Sequence, residues 1–271
     1  MAIPNFLYKN NRVLLKELTK TDFKLRYQGS VLGYLWALLR PLLMFAILYL
    51  VFDKLLKFGK DIDHYPVYLL AGTTLWSFFT ECTNQGIQAM VIRGDLIRKI
   101  CFPKYIVVVS STLTAVINLF INLGVVLIFA LIDDISPSWT WLLIPLLVVE
   151  LYMLALGISF LLGAINVKYR DVTSIWDVLT QALFYAVPII YPITMIPENL
   201  AFAGKIILLN PIAQIIQDVR YLLIHDPTIT TSWNQINNPF LKAIPIILVI
   251  IMLVWGSWYF RKKSKKFAEE I

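Results

Sequence analysis

The chain is 271 residues long, 59% of them apolar and 15% charged, with a mean hydropathy of +0.72. A soluble domain runs at roughly 25% charged residues, and a soluble fold of this length has too little interior to hide so much apolar surface. Composition therefore excludes an ordinary cytosolic enzyme, a disordered chain and a disulfide-stapled secreted domain; the net charge of +7 fits Lys and Arg gathered on cytoplasmic loops of a membrane protein and implies no nucleic-acid partner.

The first thirty residues contain no uninterrupted apolar run, and Lys9, Arg12, Lys16, Lys20, Lys24 and Arg26 are spread through them, so they are not a secretory signal. On a helix over about 5–25, Leu7, Leu14, Leu18 and Leu25 share one face. Lys9, Arg12, Lys16, Lys20 and Lys24 share the opposite face. That pattern predicts an amphipathic helix in the membrane interface, its basic face toward anionic headgroups. The alternative is a helix packed on a soluble partner.

A spanning helix needs about 20 mostly apolar residues, and six stretches qualify: 31–52, 66–90, 105–132, 139–165, 173–195 and 243–260. The second is the least clean, because it contains Glu81, Asn84 and Gln85. The fifth ends in a run with Pro188, Pro192 and Pro197, and its last two prolines are expected in a broken or re-entrant segment. Of the 24 Lys and Arg residues, 17 fall in the N-terminal segment, in 91–104, in 166–172 and after 260. Six fall in the other loops, and Arg40 lies inside the first span. The richer side is cytoplasmic, which puts both termini inside. Between the fifth and sixth spans, Asn210-Pro211 reads as an N-cap followed by proline at the first helical position. An apolar stripe of Ile212, Ile215, Ile216, Val219, Leu222 and Leu223 follows, with Gln214, Gln217, Asp218 and Tyr221 facing elsewhere. The 14 residues 211–224 reach about 21 Å, too short to cross, and read as a short helix dipping into the outer leaflet. Residues 225–240 read as an exposed, turn-rich loop. The whole is one domain, 1–271: an interfacial helix (1–30), a six-span bundle (31–260) and a basic cytoplasmic tail (261–271).

Nothing in the sequence has the spacing of a Walker A loop, a nucleophile elbow or a metal site, and the chain is expected to have no catalytic residue, metal or cofactor of its own. Cys82 and Cys101 make no disulfide framework and read as small buried hydrophobes. Arg40, Glu81, Glu150 and Asp177 are costly at membrane depth and are expected to face neighbouring helices, water or the interface. Four scattered charges make no proton-relay pattern. Tyr34, Trp36, Trp76, Phe78, Phe79, Tyr185 and Tyr191 lie in or near spans. Most aromatics form the interfacial belt and helix packing; the functional alternative is a wall on which sugar rings stack.

Residues 26–42, RYQGSVLGYLWALLRPL, resemble the opening of the membrane subunit of ABC-2-type polysaccharide exporters, the family that exports O-antigen and teichoic-acid chains. The likeness continues in order through IRKICFPK (97–104), NVKYRDV (166–172), LLNPIAQIIQDVRYLL (208–223) and the basic C-terminus. The resemblance implies a six-span subunit in the inner (cytoplasmic) membrane that pairs with a second copy of itself and with two copies of a separate ATPase, which binds ATP and Mg. It implies that the N-terminal helix and a short helix at 91–102, containing Arg93, Asp95, Arg98 and Lys99 and ended by Phe102-Pro103, sit on that ATPase. It implies short re-entrant helices between spans five and six, where 188–197 and 211–224 fall. The expected substrate is an undecaprenyl-type lipid-linked glycan moving between the first and fifth spans of two copies. Lys24 and Arg26 would attract its diphosphate, and Tyr34, Trp36, Trp76, Tyr185 and Tyr191 would line its path. Arg40, on the face of Trp36, would contact hydroxyls or phosphate, or else pair with Glu81 or Asp177. Rival readings are an ABC-2 exporter of a small molecule or drug, a membrane-embedded sugar transferase, which should show clustered acids in a cytoplasmic loop, and an assembly protein without transport.

Overall fold

The computed structural model describes residues 9–28, 32–195, 201–236 and 238–270, and every element among them is helical. In chain order these are α1 (Lys9–Tyr27), α2 (Trp36–Tyr49), α3 (Tyr65–Ile92), α4 (Gly94–Lys99), α5 (Tyr105–Ile132) and α6 (Ile144–Asn166). They are followed by α7 (Val172–Ala186), α8 (Ala201–Leu208), α9 (Pro211–Ile224), α10 (Ser232–Gln235), α11 (Pro239–Lys263) and α12 (Phe267–Glu270). A 3₁₀ turn (Gly33–Leu35) leads into α2 and a π-helical stretch (Leu50–Leu55) follows it.

Four stretches combine the length and the apolar composition of a membrane crossing: Gly33–Leu55, Tyr105–Ile132, Trp139–Asn166 and Pro239–Lys263. Their bounds agree with the first, third, fourth and sixth expected spans to within four residues. The expected second and fifth spans stand apart for different reasons. α3 has 28 residues, about 42 Å at 1.5 Å each, so length is ample; its polar residues lower its hydropathy. α7 has 15 residues, about 22 Å, because the helix breaks before Pro188.

α3 is the axis of the fold. Val67 to Trp76 are all buried, and α5, α6, α7, α9 and α2 pack around it. A helix buried on all sides need not be amphipathic. On its far side α6 meets α11 at two glycines. A Cβ at Gly157 would lie 2.7 Å from the Leu253 nitrogen, and one at Gly256 would lie 3.0 Å from the Gly157 carbonyl carbon. The two backbones therefore touch, the close approach that small residues permit between membrane helices.

At the N-terminus the amphipathic helix forms, with residues 1–8, Leu7 included, outside the described residues. Its inner side carries Leu14, Leu15, Leu18, Asp22 and Phe23, and it lies along α5 of the same chain. Leu25, expected on that stripe, is exposed. Pro197, expected in the broken segment, also lies outside the described residues. Cys82 is buried as expected, but Cys101 is exposed, because it falls in the irregular link between α4 and α5. The stretch 225–240 is not simply exposed: Asp226, Ile229, Thr231, Ser232 and Ile236 are buried and α10 lies within it. α11 starts at Pro239, capped by Asn238 Oδ1 on the Phe240 N–H, the same Asn-Pro signature that starts α9.

Candidate functional site

A cavity of about 990 Å³ lies between α2, α3 and α5, with Arg26 of α1 at its edge. Each helix contributes one face at helical spacing. α2 gives Trp36, Ala37, Arg40, Met44 and Ile47; α3 gives Thr74, Ser77, Phe78, Glu81, Asn84 and Gln85; α5 gives Ala115, Asn118, Leu119 and Asn122. The α2 wall is mainly apolar and the α3 and α5 walls are mainly polar. Such polar side chains at membrane depth are expensive unless partnered.

Here Glu81, Gln85, Asn118 and Asn122 are partnered. Glu81 Oε1 accepts from Arg26 Nη1, from Gln85 Nε2 at 3.0 Å and from Asn118 Nδ2 at 2.7 Å. Thr114 Oγ1 donates to Gln85 Oε1 at 2.5 Å. Deeper in the wall, Asn122 Nδ2 donates to the Ala37 carbonyl at 3.2 Å. Ala37 is four residues before Pro41, which lies inside α2. Proline has no N–H, so the helix cannot satisfy that carbonyl itself; the asparagine of α5 supplies the missing donor and ties α2 to the bundle at its proline.

Two of the expected pathway residues, Trp36 and Arg40, line this cavity, and Arg26, expected at the diphosphate, joins them. Lys24, two residues before Arg26 and so on the other side of α1, is exposed. Arg40 does not pair with Glu81 or Asp177: Glu81 is taken by Arg26, and Arg40 has no ion-pair partner among the described residues. Tyr34 stacks on Phe23 at 5.3 Å, which ties the start of the first span to α1. Trp76 is 6% exposed and packs between Phe79 and Phe184 in the core. Tyr185 is exposed at the end of α7, and its carbonyl accepts from Tyr191 Oη at 3.1 Å. The structure thus brings Trp36, Arg40 and Arg26 together and leaves Trp76, Tyr185 and Tyr191 elsewhere. Sequence reasoning missed Asn118 and Asn122. Their signal was legible: with Ser110 and Thr114 they form a polar stripe at spacings of four along α5.

At the other end of α3, one residue, Arg93, separates it from α4, and its guanidinium pairs with Asp22 of α1. Ile97 of α4 is buried against Met90, Phe160 and Phe267, while Asp95, Arg98 and Lys99 are exposed. α4 ends by Lys99, and the link through Phe102 and Pro103 carries the chain into α5. Lys104 Nζ then donates to the Ser264 carbonyl at 2.6 Å, so α4, the start of α5 and the C-terminal tail form one surface.

α9 has the expected start: Asn210 Oδ1 accepts from the Ile212 N–H at 3.0 Å. Its polar face is a correction. Gln214, Gln217, Asp218 and Arg220 are all buried, because α9 is wedged among α3, α6 and α11 rather than lying on the surface. Arg220, which the charge count placed in an external loop, is fully buried. Its Nε donates to the Tyr68 carbonyl at 2.9 Å, and Nη1 donates to the Pro188 carbonyl at 2.7 Å and to Gln217 Oε1 at 3.0 Å. Nη2 reaches the Ile189 carbonyl, and the group lies 3.5 Å from the centre of the Tyr68 ring. A cation thus serves the carbonyls where the chain breaks after α7, the end at which a helix favours positive charge. At the C-terminal end of α9, Thr140 Oγ1 and Trp141 Nε1 donate to the Leu222 and Leu223 carbonyls, which the helix leaves without partners.

Comparison with known proteins bears on this arrangement along most of its length. The chain is 28% identical over 257 residues to an O-antigen export system permease protein RfbA of Klebsiella pneumoniae, covering 94% of each chain. It is 28% identical over 266 residues to the RfbA of Myxococcus xanthus, covering 96% of each. It is 20% identical over 211 residues to a polysialic acid transport protein KpsM of Escherichia coli, covering 78% of this chain and 81% of that one. The model of the ABC-2 type transporter family matches residues 13–224, and with four apolar helices long enough to cross a membrane this chain is a multi-pass membrane protein that belongs to the ABC-2 type transporter family.

Proposed function

We propose that the chain is the membrane subunit of an ATP-driven exporter that moves a lipid-linked polysaccharide, of O-antigen or teichoic-acid type, across the cytoplasmic membrane. The observation that carries this reading is the lining of the cavity: one indole, two arginines and four side-chain amides. Amides meet sugar hydroxyls, arginines meet anionic groups, and an indole face meets the C–H face of a sugar ring. The names of the relatives along nearly the full length support a polymeric sugar cargo.

In this reading the chain crosses six times, α3 and α7 completing the set, with both termini in the cytoplasm. Two copies enclose the path between their first and fifth spans. The exposed apolar residues of α2 (Leu43, Met44, Ile47) and of α7 (Ile175, Val178, Leu179) support faces that seek a partner. Hydrolysis of ATP belongs to a separate pair of subunits that dock on α1 and α4. Closure of those subunits pushes Asp95, Arg98 and Lys99, and the rigid α3 carries the push to the opposite end, where α9 and the broken segment after α7 form the outer gate.

The test is glycan export from cells that express the permease together with its ATPase. Trp36 is 43% exposed at the cavity whereas Trp76 is buried. Trp36→Ala should lower surface glycan severalfold at unchanged protein abundance. Trp76→Ala should lower abundance itself, since truncating a buried Trp costs about 3–5 kcal/mol. Equal loss of abundance in both would remove Trp36 from the path.

A further inference from the structure

We propose that Arg26, Gln85 and Asn118 form an anion site whose resident occupant is the Glu81 carboxylate, and that a phosphoryl group arriving in the cavity takes its place. Three donors from three different elements, α1, α3 and α5, converge on a single oxygen, Glu81 Oε1. The amides present their donor ends. Gln85 is held that way because its own oxygen accepts from Thr114 Oγ1, which fixes the orientation of the amide. A guanidinium with two amide N–H groups is the donor set that suits a phosphate oxygen as well as a carboxylate, and arginine serves both through the same planar fork.

The charge balance favours an incoming anion. Arg26 and Arg40 both line the cavity and Glu81 is the one acid among its described lining residues, so these residues carry a surplus positive charge while Glu81 stays bound. Arg26 and Glu81 side chains are 32% and 23% exposed, so a ligand in the cavity can reach the pair without the bundle coming apart. A phosphoryl group carrying up to two charges would satisfy both arginines; the carboxylate satisfies one. Glu81 therefore keeps the donors aligned while the site is empty of substrate, and its displacement selects for a cargo that bears phosphate. The identification of the ligand rests on the export reading above, and it adds where the charged head of the cargo is recognised.

The experiment is native mass spectrometry of the purified permease–ATPase complex titrated with a polyprenyl diphosphate, and in parallel with the uncharged polyprenol. No ATP and no glycan are present, so a failure here leaves the export reading standing. Absence of glycan export from cells that express the wild-type permease with its ATPase, with diphosphate binding intact, would instead count against the export reading. The wild-type protein should take up the diphosphate in preference to the alcohol. Arg26→Gln should weaken that uptake roughly tenfold, the loss expected for one charge-assisted hydrogen bond, and Arg26→Lys should restore part of it. Glu81→Gln should strengthen uptake severalfold, because the amide oxygen still aligns the donors but no longer competes as an anion. Competition by inorganic pyrophosphate would assign recognition to the phosphoryl group alone; lack of competition would assign it to the lipid headgroup. Melting temperatures separate binding from folding, and a variant that melts more than a few degrees early is replaced by Gln85→Ala, which should weaken uptake with α1 untouched. If Glu81→Gln weakens binding as Arg26→Gln does, or if neither changes it, the pair is a structural brace and the proposal falls.

Discussion

Gly72 lies one turn after Tyr68 on α3, at the point where the Arg220 guanidinium passes. A Cβ there would sit 2.9 Å from Arg220 Cζ and closer still to Nη2, against an optimum of about 3.5–4.0 Å between nonbonded carbons. The guanidinium cannot retreat freely, since the Tyr68, Pro188 and Ile189 carbonyls and Gln217 hold it from several directions. Gly72→Ala must therefore strain the packing, at about 1–3 kcal/mol, and break at least one charge-assisted hydrogen bond, at about 1.5–3 kcal/mol. A total of roughly 3–5 kcal/mol follows, a large share of the 5–15 kcal/mol that holds a typical protein folded. Denaturation by SDS in mixed micelles reads this cost. The decisive comparison is a double-mutant cycle with Arg220→Met, which removes both the charge and the clash. Gly72→Ala should cost measurably less in that background, with a coupling of about 1–3 kcal/mol. If the two substitutions add, the guanidinium is not what the glycine makes room for, and the account of the outer break is wrong.

Other outcomes follow from the same geometry. Asn122→Leu should destabilise by about 1–3 kcal/mol because it strands the Ala37 carbonyl, and Pro41→Ala should rescue it by returning the helical N–H; failure of the rescue in the same denaturation assay would dissociate Asn122 from Pro41. Replacing Arg98 and Lys99 together by glutamate should leave abundance unchanged, since both are exposed, while reducing co-purification of the ATPase and glycan export; normal export would remove α4 from the docking surface. Thr228→Cys, in the exposed turn after α9, should react with an impermeant thiol reagent added outside intact cells; protection there with labelling only after lysis would invert the topology.

How much of this was legible depends on where the partner of each residue lies in the chain. Local signatures were readable. Asn210-Pro211 announces α9, and the apolar runs mark the third span to the residue, because caps and hydropathy depend on neighbours in sequence. Arg220 was misplaced, and the alternative pairing of Arg40 failed, for the opposite reason. A charge count assigns Arg220 to whichever loop surrounds it, yet its partners are carbonyls 31, 32 and 152 residues away. The expected pairing of Arg40 with Glu81 failed because Arg26, 55 residues from Glu81, reaches it first once α1 folds back along α5. Leu25 fell off the predicted stripe by the same folding back, since α1 packs through Leu14, Leu15, Leu18 and Phe23.

The two spans proposed to border the path share a construction. The first contains Pro41 within its helix and the fifth ends before Pro188, so each leaves carbonyls that its own helix cannot serve. In each case the donor comes from a different element of the same chain: Asn122 of α5 for Ala37, Arg220 of α9 for Pro188 and Ile189. Both donors are buried, and both belong to helices packed on α3. Bending either break further would pull apart a hydrogen bond that the helix itself cannot replace. Under the export mechanism proposed above, both braced breaks act as fixed shapes rather than hinges, and a push at α4 reaches the outer end through α3.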